Sequence, residues 1–586
     1  MKWNLVNENF KNNYCENLLK SRGVKDIEVF LNPNLSCVNS PSLLSNINQG
    51  AELLYNVLQN DASKILIIVD SDCDGYTSST IIYNYIKNIA PNADVNYWLH
   101  EHKEHGLEDH IDKLMETNVK YSLIILPDSS SNDFQYHESL KEINTPVLVL
   151  DHHITDVELS NNAIVVNNQL SEHYTNKHLT GAGVVYQFCR YYDQKYNFNY
   201  ADKYIDLAAL GIIGDMGSML DLENRYIVKN GLENINNILF KTLAMKQAYS
   251  ITGNASASWN EVAKALNPIS IAFYIVPLIN AVIRAGTQDE KNRLFLAFLN
   301  GDEKIESKKR GAKGTFDTRA NEAAREGGNI RTRQNKMLDA ALEKTESKIF
   351  KYDLLSNRIL FIRLDDEDEF PPELNGVLAM KLTQQYQRPT IVARRGVDDI
   401  IKGSMRGLNQ SELRSFKVFL EESGFFTLVA GHDNAGGVHI PDKKLNAFHE
   451  YANKALANMN FGENCHDVNF DRIAADGDIK DIILDIGEYE GIWGQANSQP
   501  IIHIDNINVT MNDIKIMGKN MDTVKIEKFG IAYMKFHAKD FIEELKQYSK
   551  VKLEVVGRAN VNYWGGNVIP QIFIDDYEVT DDKLGF

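Results

Sequence analysis

Cysteine is scarce in this chain of 586 residues. The five that occur (Cys15, Cys37, Cys73, Cys189 and Cys465) are scattered, make no CxxC pair and offer no disulfide framework. That usage fits a reducing, cytoplasmic setting. Long hydrophobic runs are missing too. No stretch of about 18 apolar residues stands out, so the expectation is a chain that does not cross a membrane. The N-terminal MKWNLVNENFKNNYCENLLK lacks the apolar core of a signal peptide. Positive charge is in deficit. A net charge of −18 argues against general adhesion to nucleic acid but leaves room for a locally basic channel. The apolar fraction of 43 % is ordinary for a globular protein. The length suggests about three or four domains.

The strongest local signal is Lys64–Thr77, KILIIVDSDCDGYT. A β-branched run ends in Asp70, Asp72 and Asp74, followed by Gly75. Residues two apart in an extended segment project to the same side. Three carboxylates at the end of a buried strand repel one another and resist desolvation. A divalent cation resolves that cost, so the segment points to a metal site.

From about Ser63 to Gly214 short apolar runs (KILIIV, DVNYWL, YSLIILP, TPVLVL, NAIVV) alternate with helix-like stretches such as Ser79–Ile89 and Gly183–Tyr192. That alternation predicts a parallel sheet covered by helices, with ligands beyond the carboxyl ends of its strands. Residues 245–300 read as helical and apolar. Between Lys304 and Lys336 ten Lys or Arg stand against four acids, a local reversal of the overall charge. We read 301–350 as a flexible basic loop leading into a connecting helix that starts near Asn329. This stretch either tracks a nucleic-acid backbone, binds an acidic partner or is simply solvated. A second α/β unit is expected from about Asp353 to Asn460, with a glycine cluster at AGHDNAGGV (430–438). The β-rich 470–586 fits a small barrel.

Three further segments carry metal-ligand chemistry. LIILPD ends in Asp128, VLVLDHH ends in Asp151, His152 and His153, and AALGIIGD ends in Asp215. Singly, an aspartate at a strand end is most often a turn residue or helix cap. Four such ends bearing acid or imidazole form a set. Oxygen-plus-imidazole donors suit Mn²⁺, with Mg²⁺ where carboxylates dominate. Two such ions can activate water and clamp a phosphoryl group.

In order and wording these motifs resemble the DHH phosphoesterases, and within them the RecJ-type single-strand-specific exonucleases. DSDCDG, Asp128, the eponymous Asp151-His152-His153 and the Asp215 segment ALGIIGDMGSMLDLENR match the four motifs. LTGAGV (179–184) and FYIVPLINAVIR (273–284) resemble RecJ segments. Asn375–Pro389 with GSMR (403–406) and GHDNAGG (431–437) resembles the DHH-associated domain. GQANSQP (494–500) resembles the entry to the RecJ oligonucleotide-binding barrel. The likeness covers about residues 45–580.

The resemblance implies an α/β architecture. Residues 1–44 would form an N-terminal segment, 45–245 a parallel-sheet DHH domain, and 246–350 a helical connector. Residues 351–465 would be the DHH-associated domain and 466–586 an OB-fold barrel. It implies that Asp70, Asp72, Asp74, Asp128, His152 and Asp215 hold one or two Mn²⁺ (or Mg²⁺) ions, with Asp128 bridging. Asp151 would orient an imidazole, His153 would face the scissile phosphate, and His432 would sit near the phosphodiester. Ser404 and Arg406 would bind a terminal phosphate, and Gly431, Gly436 and Gly437 would let backbone N–H groups approach it.

The chain departs from the RecJ pattern in YWLHEHKEHGL (97–107). His100 stands near the place of an arginine and becomes the candidate for its phosphate contact, with Lys103 as the alternative. A histidine cannot reproduce an arginine's bidentate clamp. The loop's histidines (His100, His102, His105, His110) hint only weakly at another metal site, because the loop reads as polar and solvated. Tyr489, Trp493, Tyr563 and Trp564 are candidates for base stacking, with core packing the alternative for about half of them.

The expected activity is hydrolysis of single-stranded DNA, from the 5′ end, in repair, recombination or replication. RNA is not excluded, and a single-strand-binding or replication protein is a candidate partner. The competing readings are a phosphodiesterase for cyclic dinucleotides or short RNA, and a replication scaffold of DHH descent. The complete ligand set favours activity. The composition points to a bacterial or phage genome.

Overall fold

The computed structural model describes residues 2–5, 13–155, 159–365, 370–396, 399–408, 411–459, 461, 465–469, 473–474, 477, 479–518, 520–564 and 567–581. They form two compact units. One comprises Asn9–Asn329, Arg472–Asp575 and Val579–Phe586; the other comprises Met1–Glu8, Ile330–Asp471 and Asp576–Glu578.

The first unit holds a five-stranded parallel sheet of β1 (Lys64–Val69), β2 (Asp94–Leu99), β3 (Leu123–Pro127), β4 (Val147–Asp151) and β5 (Ala163–Asn167). The order across it is β2-β1-β3-β4-β5, every pair parallel. Strands β3 and β4 are buried throughout, and β1 from Ile65 onward. A strand buried on both faces reads as continuous Ile, Val and Leu rather than as an alternation. The chain runs outward from β1 to β2 and then returns to the other side of β1. That reversal opens a crevice beyond the carboxyl ends of β1 and β3, where such sheets bind ligands. Asp70 and Asp128 are the residues that follow those two strands.

Helix Cys73–Ile89 leaves β1 at once, capped by Asp72, whose carboxylate accepts from Gly75 N at 2.9 Å. Helices Gly181–Tyr196 and Ile205–Gly214 pack in the same unit, the latter ending at Asp215. The stretch Pro268–Ala285 corrects the sequence expectation. It is 18 residues long with mean hydropathy 1.6, enough by length and composition to cross a membrane. Here Ile271, Ile275, Ile279 and Ile283 are buried in the protein, as in a core helix.

The basic segment also differs from expectation. Lys304–Glu306 and Phe316–Thr318 pair as a short antiparallel hairpin. The helix that follows is continuous from Arg319 to Lys351, ten residues longer at its start than the hydrophobic spacing suggested. Ion pairs Arg319–Glu303, Arg325–Glu322 and Arg293–Glu326 anchor that start, and buried Ala320, Ala323, Ala324 and Ile330 pack the helix on both sides of Gly327 and Gly328.

In the second unit a mixed sheet has the order β9 (Leu428–His432), β10 (Ala435–Pro441), β8 (Ile400–Arg406), β7 (Thr390–Arg395), β6 (Leu360–Leu364). Residues of the C-terminal region build a seven-stranded, largely antiparallel sheet that includes Ile501–Thr510, Thr523–Lys528 and Lys550–Trp564.

Candidate metal centre

Four chain segments converge beyond β1, β3 and β4. Asp70 and Asp74 are fully buried and Asp128 is 1 % exposed. His152 Nε2 lies 3.2 Å from Asp128 Oδ1 and 3.4 Å from Asp215 Oδ2. Three overlapping sets each gather ligand atoms within 4.8 Å of one another: Asp70, Asp72 and Asp128; Asp74, His152 and Asp215; and Asp128 with Asp151, His152 and His153. All six predicted metal ligands therefore lie together with the histidine pair.

Local backbone demands explain the approach. Asp128 has φ 66°, a left-handed conformation that aspartate tolerates better than most residues. Gly181 opens its helix so close to Asp128 that a Cβ there would lie 2.3 Å from Oδ1. A Cβ at Gly75 would meet the Asp70 carbonyl oxygen at 2.6 Å. Asp74 accepts from Gly181 N at 2.7 Å, Ala182 N at 3.0 Å and Thr180 Oγ1 at 3.2 Å, which uses the positive end of that helix.

The electrostatics are those of a cation site. Burial, then the charges of Asp74, Asp72, Asp70 and Asp215, hold the Asp128 carboxyl well above the usual carboxylate range. Burial and Asp72 do the same to Asp215, and push Asp74 up to about 7. Burial also raises Asp70, against the opposing pull of His105. Among the described residues Asp70 Oδ1 and Asp128 Oδ1 are buried with no hydrogen-bond partner. Buried orphan oxygens of mutually repelling carboxylates fit a divalent cation, and the donor set of oxygens plus one imidazole fits Mn²⁺ or Mg²⁺.

Asp151 differs from these carboxylates. It accepts from His152 N (2.7 Å), His153 N (3.2 Å) and Ser131 N (3.0 Å), and sits 2.8 Å from His153 Nδ1. Burial pushes its carboxyl up, but His153 and His152 outweigh that and leave it below the ordinary range. Burial pulls the His153 imidazole down, yet Asp151 and the charges of Asp70 and Asp215 hold it up at about 10. Half of the His153 side chain remains exposed.

Three contributors carried no assigned role in the sequence. His105 Nδ1 lies 2.7 Å from Asp70 Oδ2. Arg284, partly buried, lies close enough to Asp72 to feel its charge, although desolvation dominates and lowers its guanidinium pKa. The Thr180 hydroxyl and the backbone N–H groups of Gly181 and Ala182 hold Asp74. Arg284 and these donors fall inside the two segments FYIVPLINAVIR and LTGAGV, whose wording was the available signal. Nothing in the loop spacing singled out His105.

The proposed phosphate-binding residues lie in the second unit. Ser404 pairs with Gly437, Met405 with Gly436 and Arg406 with Ala435; Gly431 pairs with Gly436, and His432 closes the exposed strand β9. Met405 is fully buried in a core with Ile391 and Val438. Alternation therefore puts Ser404 and Arg406 on the opposite face of the sheet. Gly431 has φ 115°, closed to other residues without strain.

Two sequence candidates are corrected. Trp493 is 0 % exposed, its Nε1 donating to the Ile486 carbonyl oxygen and Arg22 stacked on its ring. It is a core residue with no face for a base. His100 is 3 % exposed, and burial, with the His110 imidazole next in effect, drives its pKa to about 3. A buried neutral imidazole cannot serve as a cationic phosphate clamp. Trp564 ends the strand Lys550–Trp564, and its side chain lies outside the described residues.

Fold and site together define a metal-centred DHH phosphoesterase with an appended β domain. The DHH family N-terminal domain matches residues 64–212 and the RecJ OB domain matches residues 478–576. The chain is 35 % identical to the putative SPbeta prophage-derived single-strand DNA-specific exonuclease YorK of Bacillus subtilis, over 100 % of this chain and 99 % of that protein. It is 24 % identical to the single-stranded-DNA-specific exonuclease RecJ of the same organism, over 97 % of this chain and 68 % of that protein. It matches the crystal structure of RecJ in complex with Mn²⁺ from Thermus thermophilus with a TM-score of 0.73 at 18 % identity, covering 99 % and 80 % of the two chains. The chain belongs to the RecJ-type family of single-strand-DNA-specific exonucleases.

Proposed function

We propose that this protein is a metal-dependent exonuclease that hydrolyses single-stranded DNA from its 5′ end with two divalent cations. The observation that carries the reading is the convergence of Asp70, Asp72, Asp74, Asp128, His152 and Asp215 beyond the sheet's switch point. These six residues would hold the ions. Bound there, Mn²⁺ or Mg²⁺ supplies an acidified water and neutralises charge on the phosphoryl oxygens.

The chain's own residues do the rest. Asp151 binds His153 Nδ1 and fixes the ring, so that the opposite ring nitrogen is turned to the scissile phosphate. His105 holds Asp70 in place from a neighbouring loop. Ser404 and Arg406 bind a terminal phosphate, assisted by backbone N–H groups near Gly431, Gly436 and Gly437, with His432 beside the phosphodiester. The buried, neutral His100 offers no cationic clamp, so selection of a 5′-phosphate is weaker than an arginine there would give. DNA repair, recombination or phage replication are the settings such an activity serves.

The test uses single strands labelled at either end, with and without a 5′-phosphate, in Mn²⁺. Immediate release of the 5′ label with late loss of the 3′ label supports the reading. Early release of the 3′ label overturns the polarity.

A further inference from the structure

The segment from His100 to His110 follows β2, and its residue His105 reaches Asp70. Two of its four histidines are buried rather than solvated, His100 at 3 % and His110 at 7 % exposure. Among the described residues neither ring nitrogen of His100, nor Nε2 of His110, has a hydrogen-bond partner. An imidazole removed from water with both nitrogens unpaired loses its hydrogen bonds without replacement.

That imidazole is aimed at acids. One ligand atom each of His100, Glu104 and Asp109 lie within 4.8 Å of one another. Burial, and next the neighbouring Asp109 carboxyl, raise the Glu104 carboxyl above its usual range. Two carboxyls so close share either a proton or a cation. The His110 ring packs on His100 at 4.5 Å and limits its orientation. The nearby Lys291 ammonium is engaged by the Glu101 carbonyl oxygen at 2.6 Å.

We propose that His100, Glu104 and Asp109 form a further cation site, separate from the DHH centre, that takes a first-row transition ion such as Zn²⁺. A neutral imidazole with two carboxylates is a mixed nitrogen–oxygen donor set of the kind Zn²⁺ accepts, and three protein ligands leave a position for water. Asp109 is exposed, which gives the ion its entry. The ligands bracket His105, so the ion staples the loop that supports Asp70. This site is independent of the exonuclease reading.

The experiment is equilibrium dialysis of the full chain against Zn²⁺, followed by metal analysis, on wild type, His100→Ala and Asp109→Asn. We expect each variant to retain one equivalent less than wild type, with unchanged far-UV circular dichroism. Loss of one equivalent from an Asp72→Ala/Asp128→Ala protein on adding Asp109→Asn would separate this site from the DHH centre. Asp109 is exposed, so its substitution decides the matter even where His100→Ala fails to fold. Equal Zn²⁺ content in wild type and Asp109→Asn overturns the proposal.

Discussion

Replacing Gly181 by alanine perturbs the metal centre without removing any ligand. The new Cβ would lie 2.3 Å from Asp128 Oδ1 and 2.5 Å from its Cβ, where ordinary contact begins at 3.4 Å. Asp128 must therefore move by about 1 Å, or the start of helix Gly181–Tyr196 must retreat and loosen its hold on Asp74. Overpacking of this kind costs about 1–3 kcal/mol. Alanine's better helix propensity returns about 0.5–1 kcal/mol of that. The folded protein should thus survive with a modest loss of stability. A misplacement of about 1 Å in the reacting geometry costs roughly 100-fold in rate, or about 2.7 kcal/mol of barrier. The assay is release of label from single-stranded DNA in Mn²⁺, paired with thermal unfolding in chelator. Gly328→Ala is the control, because nothing lies within 4 Å of a Cβ there. Activity of Gly181→Ala within twofold of wild type would refute the close-approach reasoning.

Other outcomes follow from the same geometry. Burial and Asp72 raise Asp74 from 3.8 to about 7. A carboxyl whose pKa is higher folded than unfolded stabilises the fold below its unfolded pKa. Chelated protein should therefore lose stability as pH rises from about 4 to about 7, by about 1.4 kcal/mol per unit for such a group. Mn²⁺ should abolish that slope, and a chelated melting temperature that climbs over the window contradicts it. His105→Ala should weaken Mn²⁺ affinity or activity by about 10–100-fold, the usual cost of losing a partner that orients a ligand; unchanged titrations would remove its role. Trp493→Ala should cost about 3–5 kcal/mol of stability. A variant of native stability with weakened DNA binding would restore Trp493 as a stacking residue.

Much of the centre was legible because its chemistry is local in sequence. Strands β1, β3 and β4 are short Ile, Val and Leu runs, and Asp70, Asp128 and His152 follow them directly. The switch point then brings Asp70 and Asp128 together by topology alone. Loops were harder to read. YWLHEHKEHGL has the polarity of a solvated segment, yet His100 and His110 turn inward, and a single sequence gives no sign of which way a loop histidine faces. The same holds for Trp493, where an aromatic in a β-rich domain reads equally as core or as platform until burial is known. In the basic stretch the hydrophobic spacing marked a helix only from near Asn329, yet the helix begins at Arg319. There ion pairs formed by Arg293, Arg319 and Arg325 and buried alanines hold a turn-rich, charged segment that spacing alone does not reveal.

The central claim is that the buried carboxylates and His152 form a cation-dependent phosphodiester-cleaving centre. Its most direct test is nucleotide release from single-stranded DNA in Mn²⁺ by wild type, Asp72→Ala and Asp128→Ala, each checked for folding. We predict release by wild type that chelator abolishes, and loss of about two orders of magnitude or more in both variants. Undiminished release by both variants would contradict the claim.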